Sequence, residues 1–271
     1  MSDRVLPDAL EGAGSLVVAF QPIFEVRGGA ARLHSLEALV RGSQGSGLGS
    51  AQELFDRARR EGVESVVDRA CLKAIFEAIA RAEYRADLSV NVHAATLCGD
   101  PEFPGFFREM AQAHALDLCR VTLEIVEPGP SRNDAWFREA LSSLRQGGVS
   151  LALDDVGLGC SSYGMMLDCA PDYVKVDRYL VTGCDEDLRR RAVLDSIFLL
   201  GARLGARMIA EGVETAGELR TLTSLGVELF QGFFLSRPVL ADDLRRTLVP
   251  LPEANGFIRS ALAALGRPPV A

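Results

Sequence analysis

Two adjacent carboxylates, Asp154 and Asp155, directly follow the short apolar run Leu151 to Leu153 and directly precede a glycine-rich turn, Gly157 and Gly159. A buried strand that ends in two anions must compensate them, because unpaired buried charge is very costly. A divalent cation is one compensation and a salt bridge is the other. The pattern recurs along the chain. Glu37, Asn91, Glu124, Lys175, Glu211 with Glu214, and Gln231 each lie at or just past a short apolar run. Taken singly, each reads as a solvated strand edge or an ion pair, since charged residues are rarely buried alone. Taken together, oxygen ligands converging from several strand ends make a hard-cation site. Five carboxylates and an amide could hold two ions.

The chain has three histidines, His34, His93 and His114, and six scattered cysteines with no CxxC pair. A zinc or disulfide framework is therefore not expected, and Mg²⁺ or Mn²⁺ is. His93 has no second histidine near it in sequence to complete a ligand pair, so it is expected to be a polar rim residue.

The elements that must position these residues alternate in type. Candidate strands are Leu16–Val26, His34–Val40, Leu88–Val92, Arg120–Ile125, Ser150–Asp154, Tyr173–Val176, Arg207–Ala210 and Glu228–Gln231. Between them lie helical patterns: Ala51–Arg60 after the capping box Ser50 to Glu53, then Glu64–Ala82, Phe103–Ala115, Asp134–Arg145, Asp187–Leu204 before Gly205, and Thr215–Ser224 with a second capping box. Eight strands alternating with helices predict an α/β fold, a single (β/α)₈ barrel with its chemistry at the C-terminal ends of the strands. An open doubly wound sheet is the alternative, weakened because no GxGxxG follows the first strand. No linker, repeat or low-complexity region divides the chain. Residues 1–14 are expected to be a flexible N-terminal segment, 15–265 the domain, and 266–271 a frayed tail.

Composition narrows the partners. The 271 residues are 48% hydrophobic and 24% charged, with a formal net charge of −8 and a pI near 5.1. That balance argues against long nucleic acids, which need a basic footprint, yet permits a small phosphate ligand where bound cations reverse the local sign. No apolar run approaches the ~20 residues that span a bilayer, and residues 1–11 lack the features of a signal peptide. A cytoplasmic location is the expectation.

In order and spacing, Gln21-Pro22-Ile23, Glu37-Ala38-Leu39-Val40-Arg41, Val90-Asn91-Val92, Leu123-Glu124-Ile125-Val126-Glu127, Asp154-Asp155-Val156-Gly157, Lys175-Val176-Asp177-Arg178, Ala210-Glu211-Gly212-Val213-Glu214 and Gln231-Gly232-Phe233 resemble the EAL domain, the cyclic di-GMP phosphodiesterase domain of bacteria. The resemblance spans nearly the whole chain. It implies a barrel whose first strand runs antiparallel to the others, and hydrolysis of cyclic di-GMP to linear pGpG with two Mg²⁺ or Mn²⁺ ions. By the same resemblance, Glu37, Asn91, Glu124 and Asp154 match the ligands of one metal. Asp154 also bridges to a second, where Asp155 is a further ligand. Glu211 matches the glutamate that holds metal-bound water, Lys175 the lysine that positions the attacking water, and Glu127 the glutamate that anchors the loop after strand five. Gln21, Arg41, Asp177 and Gln231 fall at substrate-contacting or site-supporting positions, with Arg41 on a phosphate.

The chemistry of these residue types agrees, because two cations can stabilise both the attacking and the leaving oxygens of a phosphodiester displacement. The chain also departs from the family pattern. Where Asp-Asp-Phe-Gly-Thr-Gly-Tyr-Ser-Ser is usual, it carries Val156, Leu158 and Cys160, and Gly42 to Gly49 is a Gly/Ser loop. In the family the loop after strand five couples the metals to a homodimer interface. Its alteration here keeps open a second reading, a catalytically weak or inactive EAL domain acting as a cyclic di-GMP receptor or protein-interaction regulator. An unrelated Mg²⁺ barrel of the enolase type would also use strand-end carboxylates, but would not require these motifs in this order.

Overall fold

The structure, a computed structural model, describes residues 6, 10, 15–27, 30–44, 48–126, 135–157 and 163–248. Its strands are β1 (Leu16–Arg27), β2 (Ala30–Gly42), β3 (Asp87–His93), β4 (Val121–Val126), β5 (Ser150–Val156), β6 (Tyr173–Val176), β7 (Arg207–Ala210), β8 (Leu229–Phe230) and β9 (Val239–Leu240). The helices are α1 (Ala51–Glu61), α2 (Glu64–Ala82), α3 (Ala94–Gly99), α4 (Phe103–Ala113), α5 (Ala135–Gln146), α6 (Tyr163–Cys169), α7 (Arg178–Val181), α8 (Leu188–Leu204), α9 (Ala216–Ser224) and α10 (Leu244–Leu248).

Strands β2 to β8 pair in chain order and in parallel. Strand β1 closes the barrel, running antiparallel to β2 on one edge and to β8 on the other. The eighth stave is shared by two short strands. Strand β8 pairs with Phe24 and Glu25, and the unanticipated β9 takes up Ala19 and Phe20. Expected strand eight is therefore shorter than its apolar run suggested, and Gln231 lies just beyond it.

Local signals set the helix ends. Ser50 with Glu53 and Thr215 with Glu218 form complete capping boxes, Asp187 caps α8, and Gly62 and Gly205 end α1 and α8 in the left-handed region. Helix α4 stops at Ala113, two residues short of the expected end, because Ala115 adopts a φ of 55°.

Register decides which side chains share the barrel interior. Glu37 is level with Ser89, Asn91 with Glu124, Glu124 with Ala152, Ala152 with Tyr173, Lys175 with Ile209, and Ile209 with Leu229. Side chains on a strand alternate with period two. Stepping by two from these pairs puts Glu37, Asn91, Glu124, Asp154, Lys175, Glu211 and Gln231 on one common face. The opposite face carries Leu36, Val90, Leu123, Ile125, Leu151, Leu153, Val174, Val176 and Ala210, all in the main apolar core with the helices. A separate apolar plug of Ile23, Ile209 and Leu229, with Tyr173 against it, fills the interior below the polar residues. In a further apolar cluster Leu6 is buried with Leu48 and Leu54, and its N–H donates to Glu61.

Candidate active site

The polar residues meet around one amine. Lys175 Nζ lies 2.6 Å from Glu124 Oε2, 2.7 Å from Glu211 Oε1, 3.2 Å from Asp154 Oδ1 and 3.4 Å from Glu37 Oε1. Its side chain is 1% exposed. Four carboxylates drawn from β2, β4, β5 and the end of β7 thus share a single buried ammonium. Glu37 is the most heavily bonded of them. Asn91 Nδ2 donates to its Oε1 at 3.0 Å and Gln231 Nε2 to its Oε2 at 2.6 Å. Gln231 also donates to Gln21 Oε1 at 3.2 Å, and Gln21 to the Ser236 carbonyl at 3.3 Å. Asp155 sits beside this group at a φ of 53°, a strained conformation for a residue other than glycine. One oxygen each from Asp154, Asp155 and Glu211 lie within 4.8 Å of one another.

Two glycines of the quoted motifs have steric reasons. The loops after β7 and β8 approach closely, with Val213 donating to the Gln231 carbonyl and Phe234 to the Val213 carbonyl. A Cβ on Gly232 would stand 2.1 Å from the Val213 oxygen, and one on Gly212, whose φ is +65°, would stand 2.4 Å from Arg178 Cβ. Both loops can therefore hold Glu211 and Gln231 at the mouth only with glycine there.

The electrostatics are those of a site short of positive charge. Burial pushes Glu124 up to about 8, with Glu37 and Asp154 adding repulsion that Lys175 only partly offsets. Burial, then the charges of Asp154 and Asp177, raise Asp155 to about 6. Glu211 is raised well above the usual carboxylate range by burial, against the pull of Lys175. Glu37 alone is held low: burial opposes its charge, but Lys175, Gln231 and Asn91 outweigh it. Burial opposes the charge of Lys175 too, yet Asp154, Glu124, Glu211 and Glu37 raise its pKa well above the ordinary lysine range.

This donor set fits a hard cation. All the candidate ligand atoms are oxygens, and Asn91 Oδ1 and Glu124 Oε1 are buried and accept no hydrogen bond from the protein. Buried acceptors without donors are rare, and cation coordination is one way to satisfy them.

Several sequence-derived positions lie outside the group of carboxylates on Lys175, although Asp177 is close enough to Asp155 to raise it. Arg41 is exposed on β2, on the same face as Glu37 and two pleats beyond it. Asp177 is 8% exposed and caps α7, accepting the Tyr179 N–H at 2.6 Å. Glu214 is exposed. Glu127, Leu158 and Cys160 lie outside the described residues. His93 is not a rim residue: it is 6% exposed, and its Nδ1 lies 2.9 Å from Oδ1 of the fully buried Asp68. Asp68 escaped the sequence reading, although it sits on the apolar stripe of α2, four and seven residues before Leu72 and Ile75.

The family model for the EAL domain matches residues 3–238. The chain belongs to the EAL domain family. The cyclic di-GMP phosphodiesterase NbdA of Pseudomonas aeruginosa is 31% identical over 90% of this chain, which spans 30% of that protein's length. Among solved structures, the calcium and cyclic di-GMP complex of Klebsiella pneumoniae BlrP1 matches 89% of this chain and 59% of its own, with 30% identity and a TM-score of 0.74. A standalone EAL protein from Vibrio cholerae O395, bound to cyclic di-GMP, matches 83% of this chain and 93% of its own, with 25% identity and a TM-score of 0.72. The barrel with its first strand reversed is thus the EAL fold. Among the described residues, no helix of this EAL domain is long and apolar enough to cross a membrane.

Proposed function

We propose that this EAL domain is a metal-dependent phosphodiesterase that hydrolyses cyclic di-GMP to linear pGpG. The observation that carries the reading is the convergence of Glu37, Asn91, Glu124, Asp154 and Glu211 on one point, with two buried acceptor oxygens left unbonded. The named activities of the relatives support the choice of substrate. Glu37, Asn91, Glu124 and Asp154 would hold one Mg²⁺ or Mn²⁺, and Asp154 with Asp155 a second, with Glu211 beside both. When bound, two such ions stabilise the attacking and leaving oxygens of an in-line displacement.

The chain's own residues do the rest. Lys175 places a positive charge beside the attacking water and orients it. Gln231 and Asn91 hold the Glu37 carboxylate in one rotamer. Arg41, at the exposed mouth, is suited to bind a substrate phosphate bidentately, with Gln21 and Asp177 at the other substrate-contacting positions. By resemblance Glu127 takes the family's loop-anchoring role, and a homodimer formed through the loop after β5 is part of this reading.

Incubation of the full chain with cyclic di-GMP should yield pGpG with Mg²⁺ or Mn²⁺ and none in excess EDTA, resolved by chromatography of the nucleotides. Ca²⁺ prefers longer bonds and more ligands, and should bind with little or no turnover. Robust product in EDTA would sink the reading.

The raised carboxyls add a pH signature. Without a cation Glu124 holds its proton up to about pH 8, whereas Asp155 has lost most of its proton above about pH 6. Ligands must ionise to bind metal. Cation affinity should therefore rise between pH 6 and pH 8, with protons released on binding. Calorimetry in two buffers of different ionisation enthalpy would read that release, and identical apparent enthalpies at pH 7 would contradict it.

A further inference from the structure

The Asp68 carboxylate has no place in the chemistry above, yet it is 0% exposed within an otherwise apolar stretch of α2 beside Val67, Cys71 and Leu72. Burying a carboxylate is expensive, and an apolar residue of similar size would be the cheaper way to fill a core position. What Asp68 gains is three hydrogen bonds to one short segment. Its Oδ2 accepts the His93 backbone N–H at 3.0 Å and the Thr96 hydroxyl at 2.6 Å, and its Oδ1 pairs with His93 Nδ1 at 2.9 Å.

That segment is the exit of β3. His93 is the last residue of the strand and the N-cap of α3, with no cap bond from its own side chain. It lies two residues beyond Asn91, about 7 Å along the strand. The β3–β4 ladder continues to it: Asn91 pairs with Glu124, Val92 with Ile125 and His93 with Val126. A clamp on His93 therefore fixes the end of the ladder that sets Asn91 against Glu124. These are the two residues whose buried Asn91 Oδ1 and Glu124 Oε1 accept no hydrogen bond. Outer partners that orient ligands commonly contribute 10–100-fold to metal affinity.

We propose that Asp68 is a positioning residue of the cation site, which holds Asn91 and Glu124 in ligating geometry through His93 and Thr96 without touching cation or substrate. The proposal rests on the cation-site reading given above.

The test is Mn²⁺ affinity of the full chain, measured by titration against the electron paramagnetic resonance signal of free Mn²⁺, with folding checked by circular dichroism and thermal melting. Asp68→Ala removes all three acceptor contacts and should weaken Mn²⁺ binding by about 10-fold or more in a protein that still melts cooperatively. Asp68→Asn is the rescue. Its oxygen can accept from the His93 N–H and the Thr96 hydroxyl, and its amide can donate to His93 Nδ1 in the other tautomer. It should stay within about threefold of wild type. Val67→Ala, a neighbouring core truncation, should lower the melting temperature without this loss of affinity. Should Asp68→Ala fail to fold, Thr96→Val removes one contact and should weaken binding by a smaller, measurable factor. Wild-type affinity in a folded Asp68→Ala or Thr96→Val protein, or a loss in Val67→Ala equal to that in Asp68→Ala, would overturn the proposal alone. A wild-type chain that binds no Mn²⁺ would overturn the cation-site reading, and the proposal with it.

Discussion

Lys175→Met is expected to slow hydrolysis of cyclic di-GMP by about 10²-fold or more while tightening Mn²⁺ binding. The two effects have opposite signs because Lys175 has two jobs. In the proposed mechanism its charge and hydrogen bonds act beside the attacking water in the transition state, and effects of that kind are worth ~10²-fold or more. Without cations, its ammonium is what offsets Glu124, Glu211, Asp154 and Glu37 at 2.6–3.4 Å. Methionine keeps much of the side-chain volume and removes the charge, so the carboxylates face an incoming cation without a competitor. The same change should lower the melting temperature in EDTA and enlarge the shift that Mn²⁺ produces. Loss of one member of a buried charge cluster leaves the others uncompensated, and a ligand that binds only the folded state restores stability by mass action. The chain has two lysines, Lys73 and Lys175, so an NMR spectrum of lysine-labelled protein has one signal for each. The Lys175 signal should move on Mg²⁺ addition and vanish in the variant. Near-wild-type turnover in Lys175→Met, or unchanged Mn²⁺ affinity, would refute one or the other of the assigned jobs.

Glu37→Ala should reduce hydrolysis below detection, a loss of about 10³-fold or more of the kind seen when preorganised charge is removed from an active site. Glu37 is the carboxylate on which the neutral side of the site is built. Truncation removes one candidate ligand and at the same time strips the acceptor from Asn91 Nδ2 and Gln231 Nε2. Both amides are then free to rotate, so Asn91 Oδ1 loses its aim as well. The chain should still fold, because the apolar core packs on the other face of β2, through Leu36 and Ala38. Product formation by Glu37→Ala above a tenth of the wild-type rate, in protein with native circular dichroism, would remove Glu37 from the cation site.

Much of this molecule was legible in its residues. Capping residues and apolar period marked the long helices to within two residues at each end, because those signals act between neighbours in the chain: Ser50 on Glu53, Asp187 on Arg189, Thr215 on Glu218. The acids, amides and amine at successive strand ends, together with the order of the EAL motifs, point to the oxygen-lined cation site proposed above. Tertiary structure decided what depends on pairs far apart in sequence. No local signal announces that β9 completes the stave left short by β8, because two residues carry too little pattern to read as a strand and owe their conformation to pairing with Ala19 and Phe20. Nor could sequence place four carboxylates on one Lys175, since that follows from closing the barrel and carrying a two-residue period through six pairings. His93 was misjudged for the same reason. A histidine next to a ligand position reads as exposed until the partner appears, and that partner, Asp68, lies 25 residues away on a helix stripe where an acid has no local cause. Period and capping are properties of neighbours, whereas burial and charge compensation belong to whatever the fold brings together.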